Sequence, residues 1–199
     1  MESTMTLAEQ FIAKLEALHG HGYRAPDWAS TANIVLSICR ESEADCVALG
    51  DLDSELVEAI KRSCEEDGIR VIGPTYQAAD LPGLIDGAQV GVGAADCGIA
   101  RTATLVETTV DDAIRLVSSL PRTYVGVVKA GELVERLEDS AERVRQAFQE
   151  NKEGCAVSFI SGPSRTGDIE MILTLGVHGP KEAHVVILDE PVSEGSANV

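Results

Sequence analysis

Two stretches of this chain are poor in core-forming side chains and dense in groups that hold anions. The longer is Ser161-Gly162-Pro163-Ser164-Arg165-Thr166-Gly167-Asp168-Ile169-Glu170. Gly162 and Gly167 permit close backbone approach, Ser161, Ser164 and Thr166 supply hydroxyl donors, and Arg165 can grip a carboxylate or phosphate through paired N–H bonds. Asp168 suits either orienting Arg165 or capping a short helical turn from Ile169 to Leu173. So many donors in so short a run need an acceptor, which favours a small anionic ligand, carboxylate or phosphate, over a capped loop with a surface Arg. The second stretch is Gly98-Ile99-Ala100-Arg101-Thr102-Ala103-Thr104. As a turn between strands it can aim backbone N–H groups and the hydroxyls of Thr102 and Thr104 at an anion, with Arg101 adding charge. The same composition also describes an ordinary hairpin whose threonines are strand residues, and composition alone leans that way.

Two further groups are candidates for acid–base work. His178 lies in Gly176-Val177-His178-Gly179-Pro180, where a backbone loosened by glycine and stiffened by proline holds a side chain that titrates near neutral pH. A hydrogen-bonded structural histidine fits the segment equally well. Glu107, at the end of a candidate strand, is the other.

The elements that must position these groups alternate. Leu7, Phe11, Ile12, Leu15 and Leu18 share one helical face, and Thr6 with Glu9 has capping-box spacing. His19-Gly20-His21-Gly22 then reads as a solvated loop, its glycines ending the helix. A helical pattern from Trp28 to Cys39 leads to a buried strand Cys46 to Leu52, a helix capped by Asp53 or Ser54 and stopped by Gly68, and a strand Ile69 to Ile72. Ala88 to Ala94 and Thr102 to Thr109 are strands separated by the turn-rich Ala95 to Gly98. A helix after Asp111, a strand Tyr124 to Val128, a long helix from about Glu132 to Asn151, and strands Cys155 to Ile160 and His184 to Leu188 complete the chain. Strands alternating with helices predict an α/β fold, a mainly parallel sheet covered by helices on both faces. One domain over 1–190 with a disordered tail over 191–199 is expected. Loops at the carboxyl ends of such strands lie side by side, so the two donor-rich loops are expected to meet.

Composition removes several functions. A net charge of −17 opposes nucleic acid and anionic membrane surfaces, and no apolar run reaches bilayer length. Without a signal peptide pattern the expected location is the cytoplasm. Cys39, Cys46, Cys64, Cys97 and Cys155 form no C-x-x-C pair, which argues against a disulfide framework and against zinc or iron–sulfur ligation in this chain, so no cofactor or metal is expected. Neither nucleotide-binding glycine fingerprint is present, nor the G-x-S-x-G nucleophile turn.

Taken together, Ser161 to Glu170 followed by Gly176 to Pro180 closely resembles the C-terminal signature of the LUD domain family of lactate utilization proteins, type C. Gly98 to Leu105 is similar to the family's other motif, usually A-D-T-G-T, with Arg101 in place of the usual Asp and Ala103 in place of the usual Gly. The resemblance implies a fold like that of ribose-5-phosphate isomerase, glucosamine-6-phosphate deaminase and the coenzyme A transferases. It also implies membership of a set that oxidises L-lactate to pyruvate, with iron–sulfur clusters only on partner proteins and this chain as the cluster-free member. The alternatives are a stand-alone isomerase or acyl-transferase acting on a phosphorylated sugar or coenzyme A thioester, and a purely structural interaction protein.

Overall fold

A computed structural model describes residues 5–166, 174–175 and 179–189. The first helix, α1 (Leu7–Ala17), begins as its sequence requires. The Thr6 hydroxyl accepts from the Glu9 N–H at 3.2 Å while the Glu9 carboxylate accepts the Thr6 N–H at 2.7 Å. Its end differs from expectation. Gly20 N–H reaches Leu15 O and His19 N–H reaches Glu16 O, a Schellman closure in which His19, not glycine, takes the left-handed position at φ 66°. The glycines instead permit close packing: a Cβ on Gly20 would lie 2.6 Å from Leu15 Cδ1, and one on Gly22 2.8 Å from Ile12. The supposed loop is therefore the start of a strand, β1 (His21–Ala25), laid against α1.

Helices and strands then alternate: α2 (Trp28–Glu41) capped by Asp27, β2 (Cys46–Leu49), α3 (Ser54–Glu66) capped by Asp53, β3 (Arg70–Ile72), the single turn α4 (Gly83–Asp86) and β4 (Val90–Ala94). The run expected to be a turn carries β5 (Cys97–Ile99), which forms a hairpin with β6 (Thr104–Thr109). After α5 (Asp112–Val117) and β7 (Thr123–Lys129), the expected long helix is broken. Leu133 and Val134 form β8 (Leu133–Val134), pairing with Gly98 and Ile99, and a 3₁₀ turn at Leu137–Ser140 precedes the helix α6 (Ala141–Glu150). Strand pairing that buries Leu133 beside α1 overrides the helical spacing of its neighbours. The remaining strands are β9 (Ala156–Ile160), β10 (Arg165–Thr166), β11 (Thr174–Leu175) and β12 (Glu182–Leu188).

Among the described residues these strands form two sheets, apart from the small β10–β11 pair. The larger, ordered β1-β12-β7-β4-β2-β3, is parallel throughout, as the alternation predicts. Its central strands are buried on both faces, Val47, Leu49, Val92, Val125 and Val186 packing with α2 and α3, and Ala48, Tyr124, Val185 and Ile187 facing the other way. The smaller sheet, β8-β5-β6-β9, contains both antiparallel and parallel pairs and packs onto that second face. Glycine makes the fit possible, since a Cβ on Gly126 would sit 2.1 Å from Leu105 Cδ1. At the amino edge of the large sheet His184 is buried, its Nδ1 3.2 Å from the Tyr23 hydroxyl and its ring stacked on His21 at 4.8 Å. Burial first, and His21 second, hold its pKa down to about 4.

Strand order reverses between β2 and β4. From β2 the chain runs through α3 outward to β3, then returns through α4 to β4 on the other side of β2 and onward to β7. Such a switch leaves a crevice at the carboxyl ends of the two strands.

Candidate functional site

The two donor-rich segments touch. The Thr102 and Thr104 hydroxyls are 2.7 Å apart, and Thr104 Oγ1 lies 2.6 Å from Ser161 Oγ, a continuous row with Thr104 beneath and exposed Thr102 and Ser161 at its ends. The contact arises differently from expectation. Ile160 pairs with Leu105 in antiparallel register, which sets Ser161, just beyond β9, beside the first residue of β6. The loop after Ile160 thus leaves the small sheet, not the parallel one. The hairpin reading of Thr104 as a strand residue and the hydroxyl row coexist, because the turn residues 100–103 bring Thr102 back over Thr104.

Arg101 is exposed, with its backbone N–H bonded to Glu135 O at 3.1 Å. Arg165 donates from Nη2 to the carbonyl of Leu18 at 2.5 Å, so its charge sits where the carbonyls at the end of α1 concentrate negative potential. Gly162 takes φ 82°, and a Cβ there would lie 3.6 Å from that of Leu18, fastening the loop to the same helix end. Ser164 N–H bonds Pro180 O at 2.9 Å. Thr166 closes β10 opposite Thr174. Gly167, Asp168, the expected helical turn Ile169 to Leu173 and His178 lie outside the described residues.

Glu107 is on the opposite face of β6 from Thr104 and is only 5% exposed. The Tyr124 hydroxyl donates to its Oε1. Burial pushes the Glu107 carboxyl up to about 8, with Ser118 hydrogen bonding opposing and Asp96 adding to the rise, so it is largely protonated at neutral pH. Tyr124 can reach it because Gly93 has no side chain: a Cβ there would stand 2.7 Å from the Tyr124 oxygen. Glu107 lines a cavity of about 110 Å³ beside Gly93, Ala94 and Ser118. That cavity shares Asp51 and Asp96 with two larger ones, of about 390 and 460 Å³, along the carboxyl edge of the parallel sheet.

A LUD domain model matches residues 8–188. The chain belongs to the LUD domain family. Lactate utilization protein C of Shouchella clausii is 37% identical over 103 residues, covering 52% of this chain and 45% of that protein. The corresponding protein of Bacillus velezensis is 32% identical over 104 residues, covering 52% and 43%. The chain thus spans less than half the length of the curated relatives it matches. Among solved structures, a DUF162 family protein from Deinococcus radiodurans superposes with a TM-score of 0.66 over 93% of this chain and 99% of that one at 18% identity, which shows the fold.

Within this LUD domain Ala103, where the usual motif has Gly, holds φ 50° while 1% exposed. This left-handed conformation costs about 1–2 kcal/mol for a residue with a Cβ. Sequence reasoning missed the groups at the switch crevice: Asp51 just after β2, Asp96 just after β4, Lys129 ending β7, and Trp28 opening α2. Each polar group closes or follows a buried strand of the parallel sheet. That position, at the carboxyl end of a buried parallel strand, was the available signal.

Proposed function

We propose that this LUD-domain chain acts in L-lactate utilization as the cluster-free, cytoplasmic member of the set, holding a small anionic ligand where its two motif segments meet and working with iron–sulfur partner proteins. The observation that carries this reading is the Thr102–Thr104–Ser161 row, which joins both motifs into one surface strip of hydroxyls beside Arg101. The names of the matched relatives supply the pathway. The scatter of the cysteines supports a cluster-free role: Cys39 and Cys64 touch each other inside one apolar cluster, Cys46 and Cys97 are buried in two others, and Cys155 is half-buried. Calorimetric titration with L-lactate, pyruvate, phosphate and coenzyme A tests the reading. The parent is expected to bind one of them, and Thr104→Val to weaken it about tenfold. Equal binding by Thr104→Val removes the seam as the ligand site.

A second reading, a stand-alone isomerase or acyl-transferase on a phosphorylated sugar or coenzyme A thioester, rests on Glu107. A buried, protonated carboxyl bonded to Tyr124 beside a cavity is suited to general acid chemistry. Turnover of such a substrate, abolished by Glu107→Gln, is the result this reading requires.

A further inference from the structure

The 460 Å³ cleft at the β2–β4 switch has the size of a small-molecule site and lies apart from the motif seam. Most of its charged groups are already committed. The Asp96 carboxylate accepts the Thr108 N–H at 2.7 Å, Asp53 accepts the Glu55 N–H at 3.2 Å as the cap of α3, and Arg143 pairs with Glu132 while donating to Asp96 O at 3.1 Å. Two groups remain. Asp51 makes no hydrogen bond or ion pair among the described residues, and Lys129 makes no ion pair there, its ammonium standing 5.9 Å from the centre of the Trp28 ring. One carboxylate and one ammonium, neither in an ion pair among the described residues, therefore face a shared space lined in part by the apolar Leu52, Leu56, Ala94 and Val127.

We infer that this cleft binds a small apolar α-amino acid, its carboxylate on Lys129, its ammonium on Asp51 and its side chain against Trp28 and the apolar walls. A zwitterion offers an opposite charge to each of the two groups. It also carries no net charge, so the −17 protein does not repel it as it would a simple anion. The site is independent of the ligand proposed for the seam.

The test is calorimetric titration of the full chain with L-leucine, with 4-methylpentanoate, which lacks the ammonium, and with L-lactate. L-Leucine is expected to saturate a single site and 4-methylpentanoate to bind about tenfold or more weakly than it. Asp51→Asn and Lys129→Gln, both at exposed positions, should each weaken L-leucine about tenfold or more while Thr104→Val leaves it unchanged. L-Lactate reports on the seam separately, so loss of its binding in Thr104→Val bears only on that site. Absence of saturable L-leucine binding, or parent-like binding in both cleft variants, overturns the inference. Equal weakening by Thr104→Val does so as well.

Discussion

Thr104 Oγ1 and Ser161 Oγ stand 2.6 Å apart although 57 positions separate them, because β6 and β9 pair antiparallel with Leu105 opposite Ile160. Thr104 is 5% exposed, so removing its hydroxyl while keeping its shape should lose about 1–2 kcal/mol. Ser161→Ala, at an exposed position, should lose less. In urea melts of Thr104→Val, Ser161→Ala and the double variant, a coupling of about 0.5–1.5 kcal/mol is expected. Strictly additive effects would mean that the two hydroxyls do not act together.

Glu107 makes stability fall as pH rises. Its ordinary value of 4.5 applies to the unfolded chain and about 8 to the folded one, so between those limits the folded state keeps a proton that the unfolded state has released. Stability then declines through that window and levels off above it. His184, lowered to about 4, acts in the opposite sense between 4 and 6.5, where the unfolded chain takes up a proton that the folded one refuses. Above pH 6.5 only Glu107 of the two still counts. Denaturant melts from pH 6.5 to 8 should show a loss of about 2 kcal/mol in the parent that Glu107→Gln abolishes, its amide oxygen still accepting from Tyr124. An equal loss in both proteins would assign the pH dependence elsewhere.

Helix ends offer a third measurement. α2 closes with exposed Glu43 at φ 50° and Ala44 N–H on Cys39 O, while α3 closes with Gly68 at φ 78° and Ile69 N–H on Cys64 O. The same motif thus carries a strained residue at Glu43, as at His19, and a relaxed one at Gly68. Glu43→Gly should raise stability and Gly68→Ala lower it, each by about 0.5–1 kcal/mol, read as opposite shifts in Tm. Shifts of the same sign would contradict the backbone account.

Where local chemistry decided structure, the chain could be read directly. The Thr6–Glu9 cap, the Asp53 cap and the buried runs at Cys46, Val90 and Tyr124 all lie where their residue types require. Non-local pairing decided the rest. Leu133 and Val134 have helical spacing but become a strand because β5 offers an edge, and His21 begins a strand because β12 lies parallel beside it. The motif segments were visible as donor-rich stretches, yet their contact depends on an antiparallel register that no short window contains. Asp51, Asp96 and Lys129 converge only through the strand order, so their shared cleft had no sequence pattern of its own.

If the joined motifs hold a small anion, mapping amide chemical shifts during an L-lactate titration will locate it. Saturable shifts concentrated at Arg101 to Thr104 and Ser161 to Arg165, and absent in Thr104→Val, are the predicted result. Shifts confined to residues remote from both segments, or none at millimolar ligand for lactate, pyruvate and phosphate alike, would contradict it.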